Sequence, residues 1–329
     1  MSRSSLLRNL VLRFDMRSSP QCPDASADRY KAALEMAQWA DGNTIDVIGL
    51  SEHHDTIDGF LSAPLQLAGM MIARTRRVRV SVSALLVPLH DPVRLAEDIA
   101  VLDNIAAGRF SATCGLGYRE TEYTYFGIDW NDRGRVFDEK LNVLVRALKG
   151  EKIYPDRNHS LLNPFPVSPV HFLLTIGGNS VAAARRAARF HLFFCPAIDD
   201  PILEESYLAA CKEQGFLFPY VIPPREPATT FVSNDPEGCW KDIGEFLLYD
   251  AKAYRAWQHR TRRAYAESFA TDLEALKREG KYRVLSPEQA IQTIQEKGSL
   301  HLAPLTGGVP LPKAWESLKL FEDRVQPYL

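Results

Sequence analysis

Short β-type runs alternate with longer helical patterns along most of this chain, the signature of βαβ units built around a parallel sheet. The runs are Asn9–Met16, Ile45–Leu50, Val78–Val87, Arg109–Cys114, His171–Ile176, His191–Cys195, Ala228–Val232 and Leu300–Leu302. Helical spacing of apolar residues fills the gaps between them. The clearest helix has Asp91 as cap, Pro92 in its first turn, a stripe of Leu95, Ile99, Leu102 and Ala106, and Gly108 as its stop. Eight such units close more naturally into a (β/α)8 TIM barrel than into an open doubly wound sheet, which usually carries fewer parallel strands. The 329 residues leave room for a barrel of roughly 250 plus an insertion. That insertion is the charged, mostly helical stretch within 215–285, between strands seven and eight, so residues 1–329 read as one barrel domain.

Charge excludes several partners. Lys and Arg total 39 against 41 for Asp and Glu, giving a net charge of -2 and no overall field to attract nucleic acid or an anionic membrane. The five cysteines, Cys22, Cys114, Cys195, Cys211 and Cys239, are odd in number and form no C-x-x-C pair. This argues against a disulfide framework or structural zinc and for a reducing, cytoplasmic setting. Arginines at 3, 8 and 13 interrupt any apolar segment near the start, so no export signal is expected. The longest uncharged run, Ser160–Ala184, is broken by Pro164, Pro166 and Pro169 and does not read as a membrane helix.

In a barrel of this kind chemistry sits at the C-terminal ends of the strands. Glu52-His53-His54, Ser83-Ala84, the 115–120 loop with Tyr118 and Arg119, and the 177–180 loop should therefore share one mouth. Gly177 and Gly178 let a ligand approach the backbone, and Asn179 and Ser180 stand at the N-cap of the next helix, whose free N–H groups and dipole favour a phosphate. The same four residues also serve as a plain turn and cap. Histidines at a strand end suit proton transfer near neutral pH, or simple hydrogen bonding. Of the other histidines only His90 and His301 fall near strand ends, so no metal site is expected.

At this point a resemblance becomes specific. Leu50-Ser51-Glu52-His53-His54, the run Val87 to Asp98, Leu102-Asp103, Gly108-Arg109-Phe110, Gly115-Leu116-Gly117-Tyr118, Phe126-Gly127, Ile176 to Ser180 and Trp315 to Phe321 occur in the order seen in the bacterial luciferase family, which this chain resembles. The resemblance implies a barrel that uses reduced FMN, commonly delivered by a separate flavin reductase, and O2 to form a flavin C4a-peroxide. That species would oxidise a small organic substrate, and homodimers are usual. It implies His53 as acid/base with Glu52 and His54 beside it. It also implies a cis Ser83–Ala84 bond under the flavin ring, and Ser180 at the phosphate with Asn179 where luciferase has an acidic residue. Leu116 stands where luciferase has a phosphate-reaching arginine, and Arg119, three residues on, is the nearest substitute. Gly115 replaces the reactive cysteine of luciferase, while Cys114 reads as core. The 215–285 region corresponds to the family's mobile lid. Its segment Lys252–Arg263 carries five basic and no acidic residues, so an arginine such as Arg260 is expected either to close over an anion or to lie on a solvated face. Two alternatives stand beside the monooxygenase: an F420-dependent oxidoreductase of the same superfamily, and a flavin-binding protein without catalysis.

Overall fold

A computed structural model describes residues 8–154, 156–158, 160–222, 228–257 and 268–329. The first half alternates strictly: β1 (Asn9–Phe14), α1 (Ser26–Gly42), β2 (Val47–Leu50), α2 (Pro64–Arg74), β3 (Arg79–Leu85), α3 (Pro92–Ala106) and β4 (Phe110–Cys114). Then come α4 (Glu120–Tyr125), α5 (Arg133–Leu148), α6 (Val170–Leu173), β5 (Leu174–Gly178), α7 (Val181–Arg189), β6 (Phe193–Pro196) and α8 (Pro201–Gln214). The last part holds β7 (Thr229–Val232), α9 (Pro236–Trp257), α10 (Leu273–Glu279), β8 (Tyr282–Leu285), α11 (Pro287–Lys297), β9 (Ser299–Leu302) and α12 (Leu311–Arg324).

All strand pairings are parallel, in the order β6-β5-β4-β3-β2-β1-β9-β7-β8. The eight expected repeats are present, and β9 returns beside β1 as the last strand of a (β/α)8 barrel must. Among the described residues no ladder joins β6 to β8; beyond β6 the sheet continues as a bridge from Phe194 to Val221. The wall is therefore of the barrel type, without hydrogen-bonded closure at that seam.

Three differences from the sequence reading have local causes. A ninth strand, Tyr282–Leu285, and α11 behind it occupy a stretch read as the end of the insertion and its sequel. The start signals of α11 are nevertheless in the sequence: Ser286 caps Gln289 N and receives Gln289 in return, and Gly298 ends the helix in the left-handed region. His171 belongs to a helical turn, Val170–Leu173, and the fifth strand starts only at Leu174. The third strand stops at Leu85, where its register against β4 slips between Ser83 and Leu85. α3 matches closely, with the Asp91 carboxylate accepting from Val93 N and Arg94 N.

Period-two alternation divides each strand between the outer core and the barrel interior. Leu10, Leu12 and Phe14 are almost wholly buried in the main hydrophobic core. The alternate residues turn inward: a Cβ on Gly49 would stand in ordinary contact with Val11, 3.6 Å from its Cγ1. Arg13 pairs with Gly49, Gly49 with Ser81, and Ser81 with Ser111. One row higher, Ser83 pairs with Thr113 and Thr113 with Thr175. The interior near the C-terminal strand ends is thus small and polar, leaving space for a ligand. Among the described residues no helix is long and apolar enough to cross a membrane, and no group of three or more His, Cys, Asp or Glu could hold a metal.

Candidate active site

The C-terminal ends of β1 to β6 surround a cavity of about 410 Å3, within the roughly 300–1,000 Å3 usual for small-molecule sites. Nine of the eleven residues expected at the mouth line it: Glu52, His53, Ser83, Ala84, Tyr118, Gly177, Gly178, Asn179 and Ser180. His54 and Arg119 do not.

The tail end of the cavity is made by β5 and α7. A Cβ on Gly177 would stand 2.8 Å from Thr113 Cγ2, and one on Gly178, whose φ is +156°, 2.6 Å from Ala183 Cβ. Only bare backbone fits there. Ser180 is extended and its Oγ accepts from Ala183 N at 3.3 Å, so the first turn of α7 opens toward the cavity. Arg186, from the second turn of the same helix, also lines the wall and is paired with Asp138 of α5. Nothing in the residue pattern singles it out from Arg185 or Arg189. The Ser83–Ala84 peptide is cis, as the resemblance implied. A Cβ on Gly115 would come within 2.7 Å of Ala84 Cβ, so the strand-four loop can pack here only as glycine.

His53 is held from both sides. Its Nδ1 lies 2.8 Å from Glu122 Oε1 and its Nε2 3.1 Å from the Tyr118 hydroxyl. A carboxylate at Glu122 accepts from Nδ1–H, leaving Nε2 as the acceptor facing Tyr118. Burial lowers the His53 pKa below its ordinary 6.5, and the opposing pull of Glu122 does not restore it. The ring is therefore neutral near pH 7. Glu122, on α4, was not singled out in the sequence; nothing there distinguishes it from Glu120, and only the fold turns one inward.

Glu52 has a different task. Its Oε1 accepts from His54 Nε2 at 2.9 Å and His90 Nε2 at 2.7 Å, and its Oε2 from Leu86 N at 2.6 Å. Burial works to raise its pKa, but these hydrogen bonds and the His90 charge outweigh it and bring the group down to about 2. With both oxygens engaged, Glu52 and His54 position the ends of β2 and β3. Arg119 is also committed elsewhere: it bonds His54 O, Asp55 O and Glu122, and lies 4.3 Å over the Trp257 ring. It caps the His53 end and does not reach the 177–180 loop, because the chain reverses into α4 directly after it. Cys114 is core, its thiol pushed up to about 12 by burial.

The end of α9 roofs His53. The Trp257 ring stands 4.9 Å from the imidazole, and Tyr254 accepts at 2.8 Å from Arg13 Nη2. Arg260 lies outside the described residues.

The matches to known proteins agree with this architecture. The family model for luciferase-like monooxygenases covers residues 12–297. The chain belongs to that family. It is 32% identical over 119 residues to 4-hydroxyprotoasukamycin monooxygenase of Streptomyces nodosus subsp. asukaensis, covering 36% of this chain and 32% of that protein. Matches to the first curated relatives span about a third to a half of their length. Two solved structures share the fold over nearly all of both chains. Monooxygenase RslO1 from Streptomyces bottropensis has a TM-score of 0.73 at 20% identity, covering 97% of this chain and 99% of its own. The oxygenating constituent of 3,6-diketocamphane monooxygenase of Pseudomonas putida, in complex with FMN, has a TM-score of 0.68 at 19% identity and 98% coverage of both.

Proposed function

We propose that this chain is an FMN-dependent monooxygenase that uses reduced flavin and O2 to oxidise a small organic substrate. The observation that carries the reading is continuity: one cavity joins the bare 177–180 backbone, the Ser83–Ala84 seat and the His53 imidazole. The glycines there leave the space a nucleotide tail needs, so the residues present fit the group. Bound FMN would supply the two-electron chemistry with oxygen. The protein's part is to hold and shield it. Gly177, Gly178, Asn179 and Ser180 receive the phosphate, with Arg186 beside them. Ser83 and Ala84 lie against the ring, and Leu86 and Leu116 exclude water from it. His53 Nε2 holds or accepts a proton, with the Tyr118 hydroxyl as its partner.

In this reading 1–329 is one barrel domain and the 215–285 region is its lid. A separate flavin reductase supplies the cosubstrate in a reducing, cytoplasmic setting. The enzyme pairs as a homodimer through the apolar face of α2 and α3, where Met70, Val101 and Ile105 are exposed.

Anaerobic titration with reduced FMN and reduced F420 tests the cofactor. Reduced FMN should bind more tightly, and a preference for F420 would replace the monooxygenase with a hydride-transferring oxidoreductase. Flavin binding without oxygen consumption on any substrate, unchanged in His53→Ala, would leave a silent flavin-binding protein. Ser180→Ala should weaken FMN by about 1 kcal/mol or more, roughly fivefold, through loss of a hydrogen bond to a charged group. Equilibrium titration checks this; unchanged affinity removes Ser180 from the phosphate site.

A further inference from the structure

Among the arginines near this mouth, Arg13 stands apart in having no carboxylate in direct contact. Arg17 is ion-paired at 2.9 Å with both Asp58 and Asp250, and Arg186 is paired with Asp138. Arg119 has Glu122. Arg13 enters no ion pair among the described residues; it lines the cavity, and its Nη2 donates to the Tyr254 hydroxyl at 2.8 Å. That hydroxyl is kept neutral by burial. Asp15 and Asp250 act on Arg13 as nearby negative charges without a direct ion pair; burial together with Asp250 pushes the Asp15 carboxyl up to about 6, which leaves it largely ionised at neutral pH.

Topology says what Arg13 faces. It shares the inward row of its strand with Val11, and its registered partner Gly49 offers no side chain to cover it. Along the sheet the order is β5, β4, β3, β2, β1. The phosphate loop follows β5, the ring seat is on β3, and Arg13 is on β1. A flavin with its tail at Ser180 and its ring over Ser83–Ala84 therefore extends its far edge toward β1 and β2.

We infer that Arg13 is a redox-selecting residue: its guanidinium, which lines the cavity and touches no carboxylate, favours the reduced flavin, whose two added electrons leave negative charge on the ring, over the neutral oxidised form. The inference rests on the FMN reading above. In a water-poor pocket a fixed cation discriminates strongly between a neutral and an anionic ligand of nearly the same shape. Charge beside the ring is also a recognised way in which a protein tunes this cofactor. The consequence is directional: the site captures reduced flavin from a donor and releases the oxidised product.

The test compares FMN affinity in the oxidised state with that after anaerobic dithionite reduction, for the wild type, Arg13→Lys and Arg13→Met. The wild type should bind reduced FMN on the order of tenfold more tightly, which raises the two-electron midpoint potential of the bound flavin by about 30 mV over free FMN. Arg13→Met should lose that preference while still binding oxidised FMN, and Arg13→Lys should keep most of it. A wild type that binds the oxidised form as tightly as the reduced one overturns the inference without any variant. So does an unchanged preference in Arg13→Met. Failure to bind FMN in either state would instead remove the cofactor reading itself, and this inference with it.

Discussion

His53→Ala is expected to slow turnover by about 100-fold or more while FMN affinity changes by less than about twofold. The asymmetry follows from where the imidazole sits. It is fixed at Nδ1 by Glu122 and enclosed by Phe60 and Trp257 at 4.8 and 4.9 Å, and Nε2 is the atom left for chemistry. The tail loop after β5 and the seat on β3 are separate elements, so truncating the ring leaves them in place. Glu122 keeps the His54 N–H at 3.0 Å and Arg119 at 3.3 Å, so its carboxylate is not abandoned. Steady-state rates at saturating substrate, with flavin titration on the same sample, check the split. Full activity removes His53 from the proton transfer, and a parallel loss of flavin binding makes it a binding residue. The pH profile gives a second reading. Burial places the His53 pKa below 6.5, so a rate that needs the neutral ring falls only as pH drops through that lower value. This acidic limb should be missing from what activity His53→Ala retains.

Much of this site is legible in the sequence because a parallel barrel converts strand ends into neighbours. Glu52-His53, Ser83-Ala84 and Gly177 to Ser180 lie far apart in the chain, yet each follows a run of β-type residues, and that alone brings them to one mouth. Residues decided by side-chain direction were harder to place. Arg119 is three residues from Leu116 and reads as a neighbour of the phosphate, but α4 begins at Glu120 and carries its guanidinium to the carbonyls of His54 and Asp55. Glu120 and Glu122 look alike in sequence; one faces solvent and the other orients the imidazole. Arg13 did have a signal. In Leu10-Val11-Leu12-Arg13-Phe14 a single charge interrupts an apolar strand, and an arginine on the inward parity of a buried strand needs a partner or a purpose. Tyr282–Leu285 is hard to read for a different reason: four residues that follow Lys281 and include Arg283 carry too little periodicity to register as a strand.

The second large effect concerns Glu52, which acts through its neighbours and not on substrate. Glu52→Ala should lower stability by roughly 2–4 kcal/mol, because it strands the buried His54 N–H and the Leu86 amide, and frees the partly exposed His90 N–H, all of which now share one carboxylate. Its ionised form is stabilised by folding, with a pKa near 2 in place of the ordinary 4.5. Since the folded value is the lower one, the unfolded chain binds the extra proton first. The stabilisation is complete above about pH 4.5 and disappears as pH falls toward 2. A drop of this size corresponds to roughly 3 kcal/mol, comparable with the loss expected from the substitution. Denaturant unfolding at a series of acidic pH values should therefore show the wild type losing stability across that window and Glu52→Ala losing much less. Parallel slopes in the two proteins would show that Glu52 is not the group responsible. Leu86 immediately follows β3, so the same substitution also loosens the strand that carries Ser83 and Ala84. Its FMN affinity should fall even at neutral pH, where His53→Ala leaves it intact, and this contrast separates a residue that holds the seat from one that works beside it.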